Sequence, residues 1–366
     1  MNQSINPVVA TTVPYALRRL GVLMSADPAD PNEAEGVLNP GTAWGPDGEL
    51  YLYPRIVAAG NVSRIARARV EFADGEPVGV ERLGVVLSPD EGWERGRQNA
   101  GVEDPRITFL EPLGIHVMSY VAYGPLGPKP ALAVSRDTVT WERLGPIRFA
   151  YQPELDTDLN LFPNKDIVFF PEAVPGPDGR PTLALLHRPM WDLDWLRPGE
   201  GSPTPAGVDD ERPAIWIGYV DLEAATRDLR ALCYVERSEL LAAAGEGYEA
   251  AKIGAGPSPL RVPEGWLVVH HGVSGAMPKG FELAHGSVYA AGAMLLDAAD
   301  PRRVLARTTE PLLTPETAEE TSGTLANVVF PTAIEEFGGR RFVFYGMADS
   351  SIGVAELVRV PEEGAP

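Results

Sequence analysis

Short runs of apolar and β-branched residues dominate the chain from about residue 39 onward. Typical runs are ELYLYPRIV, IHVMSYVAYG, PTLALLHRP, GWLVVHHGV and RRFVFYGMAD. Gly, Pro and Asp bound most of them, which is typical of short β-strands joined by turns. Helical periodicity is scarce, and the best helical stretch, roughly residues 238–251, contains two glycines that weaken it. The pattern predicts an all-β fold.

The runs recur in a fixed order, and each unit carries a proline near its start. The five prolines stand at intervals of 65, 66, 88 and 72 residues: Pro40, Pro105, Pro171, Pro259 and Pro331. A unit of three or four strands repeated radially is a propeller blade. The sequence therefore predicts a five-bladed β-propeller that forms a single domain over residues 1–366. A two-domain β-sandwich is the alternative, but it does not explain why polar residues recur at one point of each unit.

Two segments are predicted to lie at the periphery of the propeller. They are the N-terminal 35 or so residues and the acidic, Pro- and Gly-rich insertion 192–212, which lengthens the third interval. In a propeller the first strands line the central channel, so the repeated prolines converge at one mouth. The polar ends of the second strands are expected to converge there as well: Arg55, Tyr120, His187, Arg188, His270, His271 and Asp349.

Composition and charge narrow the class of protein. The formal net charge is −20, which disfavours nucleic acid and anionic membranes as partners. Cys233 is the only cysteine, the N-terminus does not resemble a secretion signal, and no apolar run reaches membrane-spanning length. We therefore expect a soluble cytoplasmic protein, and a homo-oligomer remains open. Any bound phosphate requires a local basic cluster to overcome the negative field.

Several short motifs contain residues capable of chemistry, although each also has a structural interpretation. GVEDPRIT (101–108) offers Asp104 as a general acid or, alternatively, a tight turn with a salt bridge. Arg188, at the end of an apolar run, could bind an oxyanion or pair with one of the 51 acidic residues. In NKDIVFFPE, Lys165 and Asp166 fit sugar binding or a strand-entry turn. Zinc ligation and a Ser-His-Asp site are disfavoured, because the spacings they need do not occur.

Taken together and in order, the motifs resemble those of glycoside hydrolase family 130, the β-mannoside phosphorylases and related β-mannosidases. The similar motifs are GVEDPRIT, NKDIVFFPE, LLHRP, KIGAGPSP, HHGV, YAAGAMLLD with RVLAR, and NVVFP with YGMADSSIGVAEL. They extend from about residue 39 to 358. The five-bladed propeller of that family agrees with the repeat count. SRIA and HHG depart from the commoner family patterns, which leaves linkage and acceptor open.

The resemblance implies a role for each matching residue. Asp104 corresponds to the proton donor of the family. Four residues correspond to its phosphate ligands, namely Arg188, Lys252, His271 and Tyr289. Arg64 and Asp349 correspond to sugar contacts in the −1 subsite, and Arg55, Asp166 and His187 are further substrate-binding candidates. No metal and no cofactor are implied, and inorganic phosphate is the co-substrate.

The implied reaction is inverting phosphorolysis of a β-mannoside or manno-oligosaccharide, which yields α-mannose 1-phosphate. Because the basic phosphate set is present, phosphorolysis is favoured over hydrolysis, in which a carboxylate must activate water. An inverting β-mannosidase is the alternative enzyme, and a non-catalytic carbohydrate-binding propeller is the alternative from another class. The sequence leaves open a β-1,2 or β-1,4 linkage and the identity of the acceptor sugar.

Overall fold

Antiparallel strands form five four-stranded blades, which we number in chain order from the first inner strand. The computed structural model describes residues 12–193, 197–199, 201, 203–275 and 286–360. Blades 1 and 2 are joined in one continuous sheet, since Val62 and Ser63 pair in parallel with Ala100 and Gly101. The all-β prediction is confirmed, and the described strands follow the order of the sequence repeats.

Each blade has four strands, ordered below from the inner to the outer edge. Blade 1 contains Gly36–Trp44, Leu50–Ala58, Val62–Ala73 and Glu76–Leu87. Blade 2 contains Ala100–Leu110, Ile115–Gly124, Gly127–Ser135 and Glu142–Pro146. Blade 3 contains Asn164–Phe169, Pro181–Pro189, Ile215–Asp221 and Arg237–Ala242. Blade 4 contains Lys252–Ala255, Gly265–Ser274, Val288–Leu296 and Val304–Arg307. Blade 5 contains Val329–Phe337, Arg340–Met347, Ser351–Arg359 and Tyr15–Ser25.

The remaining elements are short and connect or flank the blades. Two-to-three-residue strands cover Arg148–Phe149, Val174–Pro175, Tyr234–Val235 and Leu260–Val262. The α-helices are Leu222–Arg227 and Ala318–Thr321, and the 3₁₀ turns are Pro31–Glu33, Pro153–Leu155, Leu159–Leu161, Leu229–Cys233 and Gly247–Glu249. None of the helices in the described part of the chain is long and apolar enough to cross a membrane.

The core is divided among the interfaces between neighbouring blades. Separate apolar clusters join blade 1 to blade 2, blade 2 to blade 3, blade 3 to blade 4 and blade 4 to blade 5. A further cluster joins blade 5 back to blade 1, with Phe344 and Val354 packed near Leu52 and Ile56. Each blade thus buries both faces against its neighbours, and the ring closes as a five-bladed β-propeller.

The N-terminal segment is not wholly peripheral, contrary to the sequence-based expectation. Tyr15–Ser25 pairs antiparallel with Ser351–Arg359 and forms the outer strand of blade 5. This blade therefore combines both ends of the chain. The predicted peripheral insertion 192–212 lies partly outside the described residues, but Leu193 and Val208 pack against the core between blades 2 and 3.

The best helical stretch in the sequence, 238–251, forms the outer strand Arg237–Ala242 and the 3₁₀ turn Gly247–Glu249, in agreement with the prediction of an all-β fold. Pairing with Ile215–Asp221 satisfies its backbone, and this tertiary contact overrides a weak helical preference. One local prediction is wrong in two blades. The inner strands Asn164–Phe169 and Lys252–Ala255 end before Pro171 and Pro259, so neither proline marks the start of a strand as proposed.

The inner strands of blades 1, 2 and 3 share a bulge. Their registers shift between Leu38 and Gly41, between Glu103 and Arg106, and between Lys165 and Val168. At each bulge one residue has positive φ, and these residues are Asn39 (44°), Asp104 (49°) and Asp166 (57°). Asn and Asp tolerate this left-handed conformation better than other residues with a Cβ. The bulges therefore place a polar side chain at equivalent points of three adjacent blades.

Candidate active site

Asp104 lies at the bulge of the inner strand of blade 2, and its side chain is buried with 7% of the residue exposed. Its Oδ1 atom accepts hydrogen bonds from Asn39 Nδ2 at 2.8 Å and from Arg55 Nη1 at 3.1 Å. Both donors come from blade 1. A proton-donor candidate is thus held by two neighbouring side chains.

Arg55 connects Asp104 to a second carboxylate. Its Nη2 atom donates to Glu103 Oε1 at 2.9 Å, and its Nε atom donates to Ser63 Oγ at 2.9 Å. Lys165 Nζ lies 3.7 Å from Glu103 Oε2. Glu103 and Asp104 are therefore both balanced by cations from blades 1 and 3, as buried carboxylates require.

The carboxyl groups of Asp104 and Asp349 differ in pKa. Burial raises the pKa of Asp104, but Arg55 and Lys165 lower it more, so that the pKa falls below its ordinary value. Asp349, in the turn after Arg340–Met347, has its pKa raised to about 6 by burial, with Arg55 opposing and Asp104 reinforcing that rise. Asp349 therefore binds a proton more readily than Asp104 does.

Arg106 links Asp104 to the next group of polar residues. Its guanidinium donates to the backbone oxygen of Asp104 at 3.4 Å and to Asp166 Oδ1 at 3.1 Å. It also donates to the backbone oxygens of Ala255 and Gly256, at 3.0 and 2.9 Å. The buried Arg106 side chain of blade 2 thus contacts both blade 3 and blade 4.

Arg188 and His271 meet at Asp166. Arg188 Nε donates to Asp166 Oδ2 at 2.5 Å, and His271 Nε2 lies 3.6 Å from the same oxygen. Among the described residues, Arg188 Nη1 and both ring nitrogens of His271 are buried without a hydrogen-bond partner. Buried donors are normally satisfied, so this group is suited to an anionic or polar ligand.

Lys252 and Tyr289 complete the group on blade 4. Lys252 Nζ donates to the Tyr289 hydroxyl at 3.0 Å. Both residues lie opposite Val273, which is two positions from His271 on the same strand. Because residues two apart on a strand share a face, Lys252, Tyr289 and His271 face the same side of the blade. We call Arg188, Lys252, His271 and Tyr289 the anion cradle.

Near neutral pH the anion cradle carries less positive charge than its residue types suggest. Burial, together with repulsion from Arg188, lowers the pKa of Lys252 to about 7, although Asp166 acts to raise it. Burial lowers the pKa of His271 well below its ordinary value. Burial also raises the pKa of Tyr289 to about 12. His271 is therefore a neutral hydrogen-bonding group near neutral pH, and Arg188 is the permanent cation of the cradle.

Three of the side chains expected to converge at the channel mouth point elsewhere. His187 alternates with Arg188 on its strand and is fully buried against Phe149, with its nitrogens near Asn164 and Ser238. This position contradicts the prediction that His187 contacts substrate. Tyr120 and His270 are the other two. The Tyr120 hydroxyl donates a hydrogen bond to Glu94, and His270 is hydrogen-bonded to Glu249.

Arg64 and Asp349 are not joined directly to Asp104. Arg64 lies opposite Ile56 in blade 1, and its Nη1 atom is buried without a hydrogen-bond partner among the described residues. Asp349 is coupled electrostatically to Arg55 and Asp104. Their predicted roles as sugar contacts remain predictions.

Sequence reasoning missed Asn39 and Arg106 as members of the site. Asn39 holds Asp104, and Arg106 links Asp104 to Asp166. The signal for Asn39 was present, because Asn39-Pro40 occupies the same repeat position as Asp104-Pro105. Within the described residues, no cluster of three His, Cys, Asp or Glu side chains is arranged to hold a metal ion.

Comparison with known proteins identifies the family. Residues 224–360 match the glycoside hydrolase family 130 model, described as β-1,4-mannooligosaccharide phosphorylase. A 1,2-β-oligomannan phosphorylase of Thermoanaerobacter sp. (strain X514) is 30% identical over 292 residues, which cover 76% of this chain and 79% of that protein.

Solved structures share the fold. A β-1,2-mannobiose phosphorylase from Listeria innocua, in complex with β-1,2-mannobiose, gives a TM-score of 0.65 at 22% identity, covering 94% of this chain and 96% of that one. A family 130 structure from work on hydrolases that target β-1,2-mannosidic linkages in Candida mannan gives 0.65 at 22% identity, with 97% and 96% covered. Together with the sequence similarity, these matches show that the chain belongs to glycoside hydrolase family 130.

Proposed function

We propose that this protein is an inverting glycoside phosphorylase that cleaves a β-mannoside with inorganic phosphate and releases α-mannose 1-phosphate. The observation that carries the proposal is the anion cradle, which Arg106 and Asp166 link to Asp104. Arg188 Nη1 and the ring nitrogens of His271 are buried there with no hydrogen-bond partner in the part of the chain that the structure describes, and Lys252 lies next to Tyr289. Phosphorylase relatives in the family support the same reaction class.

The electrostatics favour an anion at the cradle despite the net charge of −20. Arg188 is permanently charged, and Lys252 is partly charged near neutral pH because its pKa is about 7. Arg106 contacts Asp166, the carboxylate that also binds Arg188. A phosphate therefore meets a locally positive, buried environment in which charge-assisted hydrogen bonds are strong.

In the proposed reaction a phosphate oxygen attacks C1 of the mannosyl unit from the face opposite the leaving sugar. The C1–O glycosidic bond breaks as the new C1–O–P bond forms, with inversion at C1. The proton of Asp104 passes to the departing glycosidic oxygen. The acceptor sugar leaves neutral, and Asp104 is left ionised against Arg55.

Hydrolysis by water is the second candidate function. Structural relatives in the family include hydrolases, and an inverting hydrolase needs a carboxylate that activates water. Asp166 is unsuited to that role because Arg188 and Arg106 hold its pKa far below the ordinary range, although burial raises it. Asp349, whose pKa is raised to about 6 by burial, is one carboxyl group that would be basic enough for that role.

The decisive experiment incubates the purified protein with β-1,2- and β-1,4-mannobiose, each with and without inorganic phosphate. We expect α-mannose 1-phosphate to accumulate only when phosphate is present. The reverse reaction, from α-mannose 1-phosphate and a panel of acceptor sugars, should release phosphate. Formation of free mannose at the same rate without phosphate would support hydrolysis instead.

A further inference from the structure

Asp166 occupies the point at which three blades meet. It lies at the bulge of the inner strand of blade 3, has a φ of 57°, and is 2% exposed. Its Oδ1 atom binds Arg106 of blade 2, and its Oδ2 atom binds Arg188 and approaches His271 of blade 4. Each oxygen of this buried carboxylate is therefore already paired with an arginine of the protein.

The backbone of blade 4 leaves room for this carboxylate. Gly254 lies opposite His271 in the sheet. A Cβ atom at Gly254 would overlap Asp166 Oδ2 and would come within 2.5 Å of His271 Cε1. Since real Cβ atoms do not approach so closely, any side chain at this position must displace the carboxylate or the imidazole. The absence of a side chain at Gly254 thus leaves the space that the Asp166 carboxylate occupies.

The hydrogen bond to Asp166 determines which nitrogen atoms of Arg188 are available to bind a ligand. Because the carboxylate holds Nε, the guanidinium is fixed in orientation, and Nη1 remains buried without a partner among the described residues. The His271 ring lies near Asp166 Oδ2 and also packs against Phe330, with the two ring centroids 4.3 Å apart. Preorganised donors of this kind bind a ligand without a further ordering penalty.

The charge of Asp166 has a second effect on the cradle. It acts to raise the pKa of Lys252 and of His271, against burial and against the neighbouring cations. Arg188 and Lys165 lower the pKa of Lys252, and Asp349 raises it. Removing the carboxylate would leave the two arginines uncompensated, so that Lys252 would lose its proton at lower pH.

We propose that Asp166 is the positioning residue of the phosphate site, orienting Arg188 and His271 for phosphate rather than contacting the sugar. The inference rests on the proposed function and assigns a specific role within it. Simple Coulomb attraction makes the opposite prediction, because deleting a negative charge beside an anion site should strengthen phosphate binding. The positioning role and the Coulomb argument therefore predict opposite changes in phosphate affinity when the charge of Asp166 is removed.

The test compares Asp166→Asn with the wild-type chain, using inorganic phosphate as the ligand. We expect the Kd for phosphate, measured by isothermal titration calorimetry, and the KM for phosphate to rise at least about tenfold. The KM for the mannoside should change by less than about twofold, a separation that a general loss of structure would not produce. Asp178→Asn is the matched control, since Asp178 is exposed and pairs only with Arg180 among the described residues.

Gly254→Ala provides a second variant that leaves Asp166 chemically intact. Its added Cβ should displace the carboxylate or the His271 imidazole and weaken phosphate binding in the same direction. If Asp166→Asn does not fold by circular dichroism, Asp166→Glu decides the question, because it keeps the negative charge but moves the carboxylate relative to Arg188 and His271. Unchanged or tighter phosphate binding in the folded variants would overturn the inference, as would a selective rise in the KM for the mannoside. Failure of the proposed function is distinguishable, because the wild-type protein would then cleave mannosides without phosphate or would not cleave them at all.

Discussion

Asp104 is stabilised in its ionised form, although its proposed role requires a proton. Arg55 and Lys165 lower its pKa more than burial raises it in the ligand-free protein. A phosphate anion in the cradle adds negative charge near Arg106, whose guanidinium reaches the backbone of Asp104. Added negative charge raises the pKa of a nearby carboxyl group. We infer that phosphate binding promotes protonation of Asp104, which couples the acid to the presence of the nucleophile.

Replacing Asp104 with Asn removes the transferable proton but keeps an oxygen that can accept from Arg55 and Asn39. We expect Asp104→Asn to lower kcat for phosphorolysis by about 10²–10⁴-fold, the usual contribution of a general acid. Affinity for inorganic phosphate should remain within a few-fold of wild type, as measured by calorimetry. A kcat within tenfold of wild type would exclude Asp104 as the proton donor.

Lys252 provides a pH dependence whose sign follows from its lowered pKa. In the ligand-free protein Lys252 is charged below about pH 7 and loses its charge as the pH rises through that value. Phosphate binding that uses the ammonium should therefore weaken as the pH rises, by up to about tenfold per pH unit above the pKa.

Lys252→Arg separates this effect from the titration of phosphate itself. The guanidinium stays protonated over the whole accessible range, so the variant should lack the additional loss of affinity. The measurement is the Kd for inorganic phosphate between pH 6 and 8.5 in both proteins. Parallel profiles would show that the charge of Lys252 does not contribute to binding.

At the scale of single strands, the sequence predicted the repeat but not the geometry that carries the site. Asn39-Pro40 and Asp104-Pro105 lie at two of the bulges, although the sequence predicted only the starts of repeat units there. The equivalent bulge at Asp166 is followed by Ile167, so the proline-based alignment moved to Pro171, after the strand had ended. The left-handed φ of Asp166 is what aligns it with the other two.

Alternation along the strands explains which candidate residues reached the site. His187 and Arg188 are adjacent in sequence, as are His270 and His271, and only the second of each pair faces the anion cradle. Sequence pattern alone shows that neighbours face opposite sides of a strand, but not which side is the pocket. That choice depends on the packing of blade 3 against blade 4, a contact between distant parts of the chain.

At the scale of the whole molecule, the site depends on closure of the ring. Asp104 comes from blade 2, whereas the cradle comes from blades 3 and 4, and Arg55 and Asp349 come from blades 1 and 5. Their relative positions are fixed only if each blade packs against the next and blade 5 packs against blade 1. The N-terminal strand Tyr15–Ser25 contributes to that closure by completing blade 5.

Arg19 ties this N-terminal strand to the interior. Its Nε atom donates to Glu320 Oε1 at 2.9 Å, and it also contacts the backbone oxygen of Thr314. Glu320 is fully buried and accepts a hydrogen bond from Tyr345. Removal of Arg19 therefore leaves a buried carboxylate without its cationic partner, a situation that destabilises proteins more than the loss of a surface ion pair does.

We expect Arg19→Ala to lower the free energy of unfolding by about 1–3 kcal/mol. Arg18→Ala is the matched control on the same strand, because the Arg18 side chain is 55% exposed and its pair with Glu356 lies at the surface. That control should lose less than about 1 kcal/mol. Urea denaturation followed by tryptophan fluorescence measures both. Equal effects would mean that the buried tie to Glu320 does not hold the N-terminal strand in place, and that ring closure, with the site that depends on it, rests on the backbone pairing and apolar contacts of blade 5.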